Sequence, residues 1–357
     1  MPLQETDEDV CAVQASGMEI FMKTGNVTGA VYERSIQRKL NQFDEKSKKS
    51  AVQGKDCAFF AFSPEEKNGS VSAAARAQVS YTGEDAGRYA VCAAVNQAAA
   101  AGVFRILGVL IHILLPADAQ EKSLQRLVED AGSEALCLGT VIADVKAFVT
   151  PAVKKPVITA EAIGTASGLP QGRETKRFMA GSSIVMTKWA GLEGSAILAG
   201  HCRDRLRERY PAGLIDEAAG FIRFLPVISE AAAAVKSGAG VICAAAEGGI
   251  FRALWTLGQR AGTGLEIDLK KIPIRQETVE ICNYLDVNPY ELAANGSLLC
   301  VTGQSEALLS RLNGLGIPAA VIGMLTEGND RVIRNGEERR FLEPSKEDEI
   351  YKIINKD

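Results

Sequence analysis

The stretch that most constrains this chain is residues 184–199, I-V-M-T-K-W-A-G-L-E-G-S-A-I-L-A. Ile184, Val185 and Met186 make a short apolar run suited to a buried strand, and Thr187 and Lys188 close it with polar groups. Gly191-Leu192-Glu193-Gly194 then turns the chain, and residues 195–199 open a helix. A strand that passes through a glycine turn into a helix is an anion site in outline. The first helical N–H groups lack intrahelical acceptors, and the helix dipole favours negative charge there. Glycine lets a ligand approach the backbone closely, and Lys188 adds a point charge suited to phosphate. The plain alternative is a strand-to-helix connection that binds nothing, since glycine turns are common punctuation.

At 357 residues the chain is long enough for two domains with sizeable cores. In the first half, periodicity predicts a helix over 30–40, a strand over 78–81 and a small-residue helix over 89–101. A central strand over 106–115 carries His112 in a structural role. An amphipathic helix over 120–137 follows, with Leu124, Leu127, Val128 and Ala131 on one face. A strand over 156–164 ends this half, and Gly168-Leu169-Pro170-Gln171-Gly172 is a turn-rich linker that puts the boundary near Ala166. The second half alternates helices and strands in the manner of an α/β layer. It has helical pieces over 213–237, the run V-I-C-A-A-A-E-G-G at 241–249, and an amphipathic helix over 250–259. Beyond these lie an alternating strand over 264–274, helices over 277–285 and 289–294, a strand over 298–301 and a helix over 305–312 with Ser305 as N-cap. A strand over 319–323 and a hairpin over 332–341 follow, with Asn335-Gly336 favouring a type I′ turn. The division is a polar extension (1–17), a first domain (18–165), a second domain (166–345) and a tail (346–357).

Composition removes several classes of function. Net charge is −4 and no Lys/Arg cluster is interleaved with aromatics, so no nucleic-acid partner is expected. The eight cysteines form no C-x-x-C pair, which argues against a zinc or dithiol motif. The longest apolar stretch, 106–116, is interrupted by Gly108 and His112 and is too short for a bilayer. Residues 1–9 are acidic and lack an apolar signal core, so a cytoplasmic setting without membrane attachment is expected.

The pattern T-K-x-x-G-x-E-G-x-A-x-L-A at 187–199 resembles the domain junction of the aminoimidazole ribonucleotide (AIR) synthetase superfamily. It is most similar to the hydrogenase-maturation carbamoyl-dehydratase branch and the AIR synthase-related proteins beside it. The resemblance runs over 18–351 through ordered motifs. Gly83-Glu84-Asp85-Ala86-Gly87-Arg88 matches a G-x-D-x-G-[RK] turn, Asn96 the asparagine of an Asn-Asp helix end, and Thr150-Pro151-Ala152-Val153 a T-P-A-V run. Glu247-Gly248-Gly249 matches the end of a motif at the mouth of the nucleotide site. The resemblance implies a mixed α+β / α/β, two-domain AIR synthase-like fold. Its N-terminal sheet domain would pair into a dimer barrel, and its C-terminal α/β domain would close over a small-molecule substrate. It further implies a homodimer that binds ATP with Mg²⁺. Carried over residue by residue, Asp85, Gly87, Asn96, Lys188, Gly191, Glu193, Gly194, Gly248 and Gly249 would hold nucleotide or phosphate, and Asp56 the magnesium. No catalytic residue is assigned.

The chain departs from the superfamily pattern where acids are usual. Lys55, Gln97, Phe148 and Ala244 stand at four such positions, and magnesium, a hard cation, depends on oxygen ligands. No cysteine follows Cys300, which speaks against the carbamoyl-dehydratase reaction in its usual form, and the missing acids disfavour a thiamine-phosphate kinase. Two readings stand. One is ATP-dependent activation of an oxygen on a small molecule, by positioning and charge neutralisation. The other is a dimeric scaffold or regulatory paralogue without turnover; a variant of it is a subunit paired with an intact relative. Asp56, Asp85 and Lys188 around one cleft would favour the enzyme, and Phe148 or Arg252 filling that cleft would favour the scaffold.

Overall fold

A computed structural model describes residues 25–26, 31, 33–42, 70–79, 83, 85–167, 180–343 and 347–355. Two sheets dominate it. The first contains β1 (Gly25–Asn26), β2 (Ser70–Val79), β3 (Arg105–Leu115), β4 (Ile142–Val149) and β5 (Val157–Ser167), in the order β1-β4-β3-β5-β2. Helices α1 (Ala86–Ala100) and α2 (Glu121–Cys137) pack together over one face. Strand β3 alternates strictly over its second half: Ile111, Ile113 and Leu115 point inward, His112 and Leu114 outward. On the outward face Leu114 pairs with Phe148 of β4 and Val157 of β5, and Leu114 and Phe148 remain 38% and 41% exposed. A helical segment around 33–40 is tied to α2 by Arg34 and Ser35, which both bond the buried Glu121 carboxylate.

The second sheet runs β12-β11-β8-β10-β6-β9-β7. Its strands are β6 (Ser183–Thr187), β7 (Val241–Ala244), β8 (Gly264–Asp268), β9 (Leu298–Thr302), β10 (Ala319–Thr326), β11 (Arg331–Asn335) and β12 (Glu338–Phe341). Central strands β6 and β9 are apolar on both faces because both faces are covered. Ile184, Met186, Leu299 and Val301 pack beneath α7 (Gly249–Ala261). Val185, Leu298 and Cys300 pack with α6 (Ile228–Lys236) and α9 (Ser305–Gly314). The remaining helices are α3 (Leu192–His201), α4 (Arg203–Arg207), α5 (Ala212–Ala219), α8 (Gln276–Leu285) and α10 (Tyr351–Ile354). The core of the first half continues through α3, α5 and α8 into the C-terminal segment, so the halves share one apolar cluster.

Several local expectations are corrected. The strand expected at 78–81 lies mostly upstream, as β2, and β5 carries on to Ser167, past the expected boundary. Residues 289–294 are turns, not a helix, because their backbone bonds outward: Tyr290 O accepts from Phe251 N and Ala293 N donates to Asp348. Ser305 is the first residue of α9 rather than its cap. The β11–β12 turn is Gly336-Glu337, with positive φ at Gly336 alone, which a type I′ turn does not allow. Residues 347–355, expected as a tail, are docked with Ile350, Ile353 and Ile354 in the core. Among the described residues no single helix is long and apolar enough to cross a membrane.

Candidate functional site

The strand–glycine–helix stretch forms as expected: β6 leads through Gly191, in the left-handed region at φ 65°, into α3. Its surroundings correct the reading as an anion site. The turn is buried throughout. A Cβ on Gly194 would lie 2.3 Å from Leu292 Cγ, and Gly194 N donates to Ala293 O at 2.8 Å. Ser195 Oγ donates to Thr278 Oγ1 at 2.9 Å. The glycines here admit a neighbouring segment, not a ligand.

Lys188 also turns inward. It sits at φ 54°, a conformation that costs an L-residue energy. Its Nζ donates to Phe224 O at 2.7 Å and Pro226 O at 2.6 Å and pairs with the buried Glu230 carboxylate. Two carbonyls and one carboxylate therefore occupy the ammonium. Burial pushes the ammonium pKa down, and the charge of Glu230 opposes that shift. Asn96, fully buried in α1, grips the same segment: its Nδ2 donates to Leu225 O at 2.7 Å and Asn295 Oδ1 at 2.8 Å, and its Oδ1 accepts from Val227 N at 2.9 Å. Lys188 and Asn96 therefore hold the backbone of residues 224–227 between the two halves.

Asp85 caps α1 at φ 68° and accepts from Arg88 Nη1 at 3.2 Å. Arg88 Nε reaches Glu134 at 3.1 Å. Nearby Asp130 is pushed up to about 6, first by burial and then by the charge of Asp85. Gly87 serves packing: a Cβ there would lie 2.2 Å from Leu127 O. Asp85 borders a cavity of about 470 Å³ with Tyr89, Gly200 and His201, and Lys188 does not reach it.

The second glycine junction is buried as well, but Ala246 and Glu247 just before its glycines line a cleft. Gly248 (φ 81°) and Gly249 (φ 68°) form the N-terminus of α7, beside a cleft of about 190 Å³ between the halves. Arg76 and Gln78 of β2 and Gln97 of α1 form one wall; Glu193, Glu247 and Asp348 face them. Gly249 is also a packing position, since a Cβ there would lie 2.4 Å from Tyr290 O. The Asp348 carboxylate accepts from Gly248 N at 2.5 Å, Ala293 N at 3.2 Å and Ile350 N at 2.9 Å. Burial pushes its pKa up to about 6 against those three bonds, with Glu247 adding repulsion.

Of the expected residues the cleft is lined by Glu193 alone; Gly248 and Gly249 are buried beside it, Asp85 lies at a separate cavity, and Lys188 and Asn96 are internal. Phe148 lies on the open sheet face, and Arg252 is exposed with its stem against Gly248; neither lines the cleft. Asp56 and Lys55 lie outside the described residues. Among the described residues no group of three or more His, Cys, Asp or Glu could hold a metal ion, so these residues alone do not fit magnesium. Sequence reasoning missed Asp348, whose signal was the apolar spacing of Ile350, Ile353 and Ile354 just after it.

Comparison with known proteins places the architecture. Residues 180–335 match the family described as AIR synthase related protein, C-terminal domain. The chain is 27% identical over 253 residues to the carbamoyl dehydratase HypE of Rhodobacter capsulatus, covering 69% of this chain and 71% of that protein. The solved structure of Escherichia coli HypE, a hydrogenase maturation protein, superposes with a TM-score of 0.72 at 17% identity, covering 90% of this chain and 98% of that one. A HypE solved in complex with ATP superposes with a TM-score of 0.64 at 19% identity, covering 88% and 93%. Residues 180–335 thus match the AIR synthase related C-terminal domain, and the whole chain has the mixed helix-and-sheet fold of those solved structures. In sequence the chain is similar to the carbamoyl dehydratase HypE.

Proposed function

We propose that this protein binds ATP at the cleft between its halves, with the phosphates toward the N-terminus of α7, and that it does so as a homodimer. The observation that supports the site is the Gly248–Gly249 turn. Ala246 and Glu247, which lead into that turn, line the cleft, and the Gly248 N–H already binds a carboxylate. A HypE of the same fold has been solved with ATP, which supports the ligand class. The open face of the first sheet supports the dimer: Leu114, Phe148 and Val157 form an apolar row across three strands, flanked by His112 and Lys146. Two such faces packed together would bury these side chains, at about 25 cal/mol per Å² of apolar surface. Sedimentation should find a dimer that Leu114→Glu converts to monomer.

The chemistry in this reading is activation of an oxygen on a small-molecule substrate, with Asp56 as the magnesium ligand. The scaffold reading also has a specific observation behind it. The cation and amide expected to meet phosphate, Lys188 and Asn96, are committed to residues 224–227. Calorimetry with ATP, with and without Mg²⁺, followed by a phosphate-release assay separates the two. Magnesium-dependent binding with release supports the enzyme. Binding indifferent to magnesium, without release, supports the regulatory protein. No binding at millimolar ATP overturns the nucleotide site.

A further inference from the structure

The open face of the first sheet carries its side chains in rows that run across the strands, because residues paired in register share a face. The apolar row Phe148, Leu114 and Val157 stands at one end. Beside it lies a polar row with Lys146, His112 and Thr159, and beside that a row with Asp144, Leu110 and Glu161. Gly108 and Ile163 follow as a second apolar row. Glu161 is matched within the chain, by Arg76 of β2 at 2.9 Å. Lys146, which is exposed, and Asp144, which is half-buried, have no ion-pair partner among the described residues. Burial pushes the Asp144 carboxyl up, and the charges of Lys146 and His112 oppose that shift.

A face that meets a copy of itself across a two-fold axis must complement itself. Stacked sheets keep their strands roughly aligned, which leaves two arrangements to compare. An axis along the central strand β3 lays each row on its own copy, so that Asp144 meets the acidic Glu161 and Lys146 meets Thr159. An axis across the strands, midway between the two polar rows, runs the strands antiparallel and exchanges the rows. Lys146 then faces Asp144, and Leu114 and Val157 face Gly108 and Ile163. Like charges laid against each other disfavour the first arrangement, and opposite charges favour the second. We propose that a second copy docks on this face with its strands antiparallel, so that Lys146 of each subunit pairs with Asp144 of the partner subunit. The inference rests on the homodimer reading and adds its register. Apolar burial holds the copies together, and the two symmetry-related ion pairs fix which way they lie.

Sedimentation of the full chain as wild type, Lys146→Glu and Asp144→Lys tests the pairing. Each single variant sets like charges opposite one another twice, and its dimer Kd should rise about tenfold or more. Mixed in equal amounts, the two variants should associate as wild type does, because each introduced charge then faces its opposite. A mixture that associates no better than its components overturns the pairing. Single variants that dimerise as tightly as wild type overturn it too, and in either case a dimeric wild type leaves the homodimer reading standing. Wild type that stays monomeric overturns the homodimer reading and the register together. Should Asp144→Lys not fold, Asp144→Asn added to Lys146→Glu should regain part of the affinity, since the introduced carboxylate then faces an amide; no gain overturns the pairing.

Discussion

Two junctions in this molecule share one local design and differ in fate. At 187–195 and at 244–249 a strand ends, glycine adopts positive φ, and a helix begins. The first is sealed by residues 278 and 289–293, and its lysine is committed to two carbonyls and Glu230. The second is packed against residues 290–292 too, but where the first sends only Glu193 to the cleft it sends Ala246 and Glu247, and its leading N–H is held by a carboxylate from the far end of the chain. A helix N-terminus is a ligand site only where packing leaves it reachable. Where packing closes it, the same glycines become contact points between segments.

The comparison is broken most severely at Lys188. Lys188→Met leaves Glu230 buried and unpaired, at a cost of about 3–5 kcal/mol in urea unfolding. Adding Glu230→Leu should recover most of it; a lysine that served a ligand would show a small effect in the single variant.

At the second junction the sharper probe is pH. Asp348 titrates at about 6 in the folded chain against 3.8 for the free side chain. The folded state holds that proton more tightly than the unfolded one, so this contribution to stability is complete below the unfolded value. It is lost as pH rises from roughly 4 to 6, by about 3 kcal/mol. Asp348→Asn should flatten that slope. A slope of opposite sign would mean that its three N–H bonds outweigh burial.

A smaller effect separates the glycines. Gly194→Ala pushes a methyl against Leu292 and should cost about 1–3 kcal/mol without altering ATP affinity. An unchanged stability with weaker ATP binding would reverse the assignment of the two junctions. Smallest is Glu247→Gln, an exposed change expected to move stability by less than about 0.5 kcal/mol. Its mark is a lower Asp348 pKa, because one neighbouring negative charge is gone; NMR titration of the Asp348 carboxyl reads it.

Much of the fold was readable from residue patterns. The alternation of β3, the apolar runs of β6 and β9 and the amphipathic spacing of α2 and α7 each reflect a face that must be buried, and burial is written residue by residue. The ordered motifs at 83–88, 187–199 and 247–249 pointed to the fold that the structure has. The site was harder. Lys188 and Asn96 are polar residues in motif positions, and a motif does not say whether a side chain turns outward or into a neighbouring backbone. Their partners lie in residues 224–227, which carry no motif at all.

By itself, then, the sequence determined the two sheets, the helices over them and the glycine turns, because these follow from local periodicity and from φ values that glycine adopts without strain. Only the tertiary structure decided which residues of the two turns reach the cleft, which cation is committed internally, and that Asp348 returns to the N-terminus of α7. Those outcomes depend on contacts between residues a hundred or more positions apart, such as Gly248 with Asp348 and Asn96 with Asn295. Hydrogen-bond donors go to whichever acceptor the packed chain brings within reach.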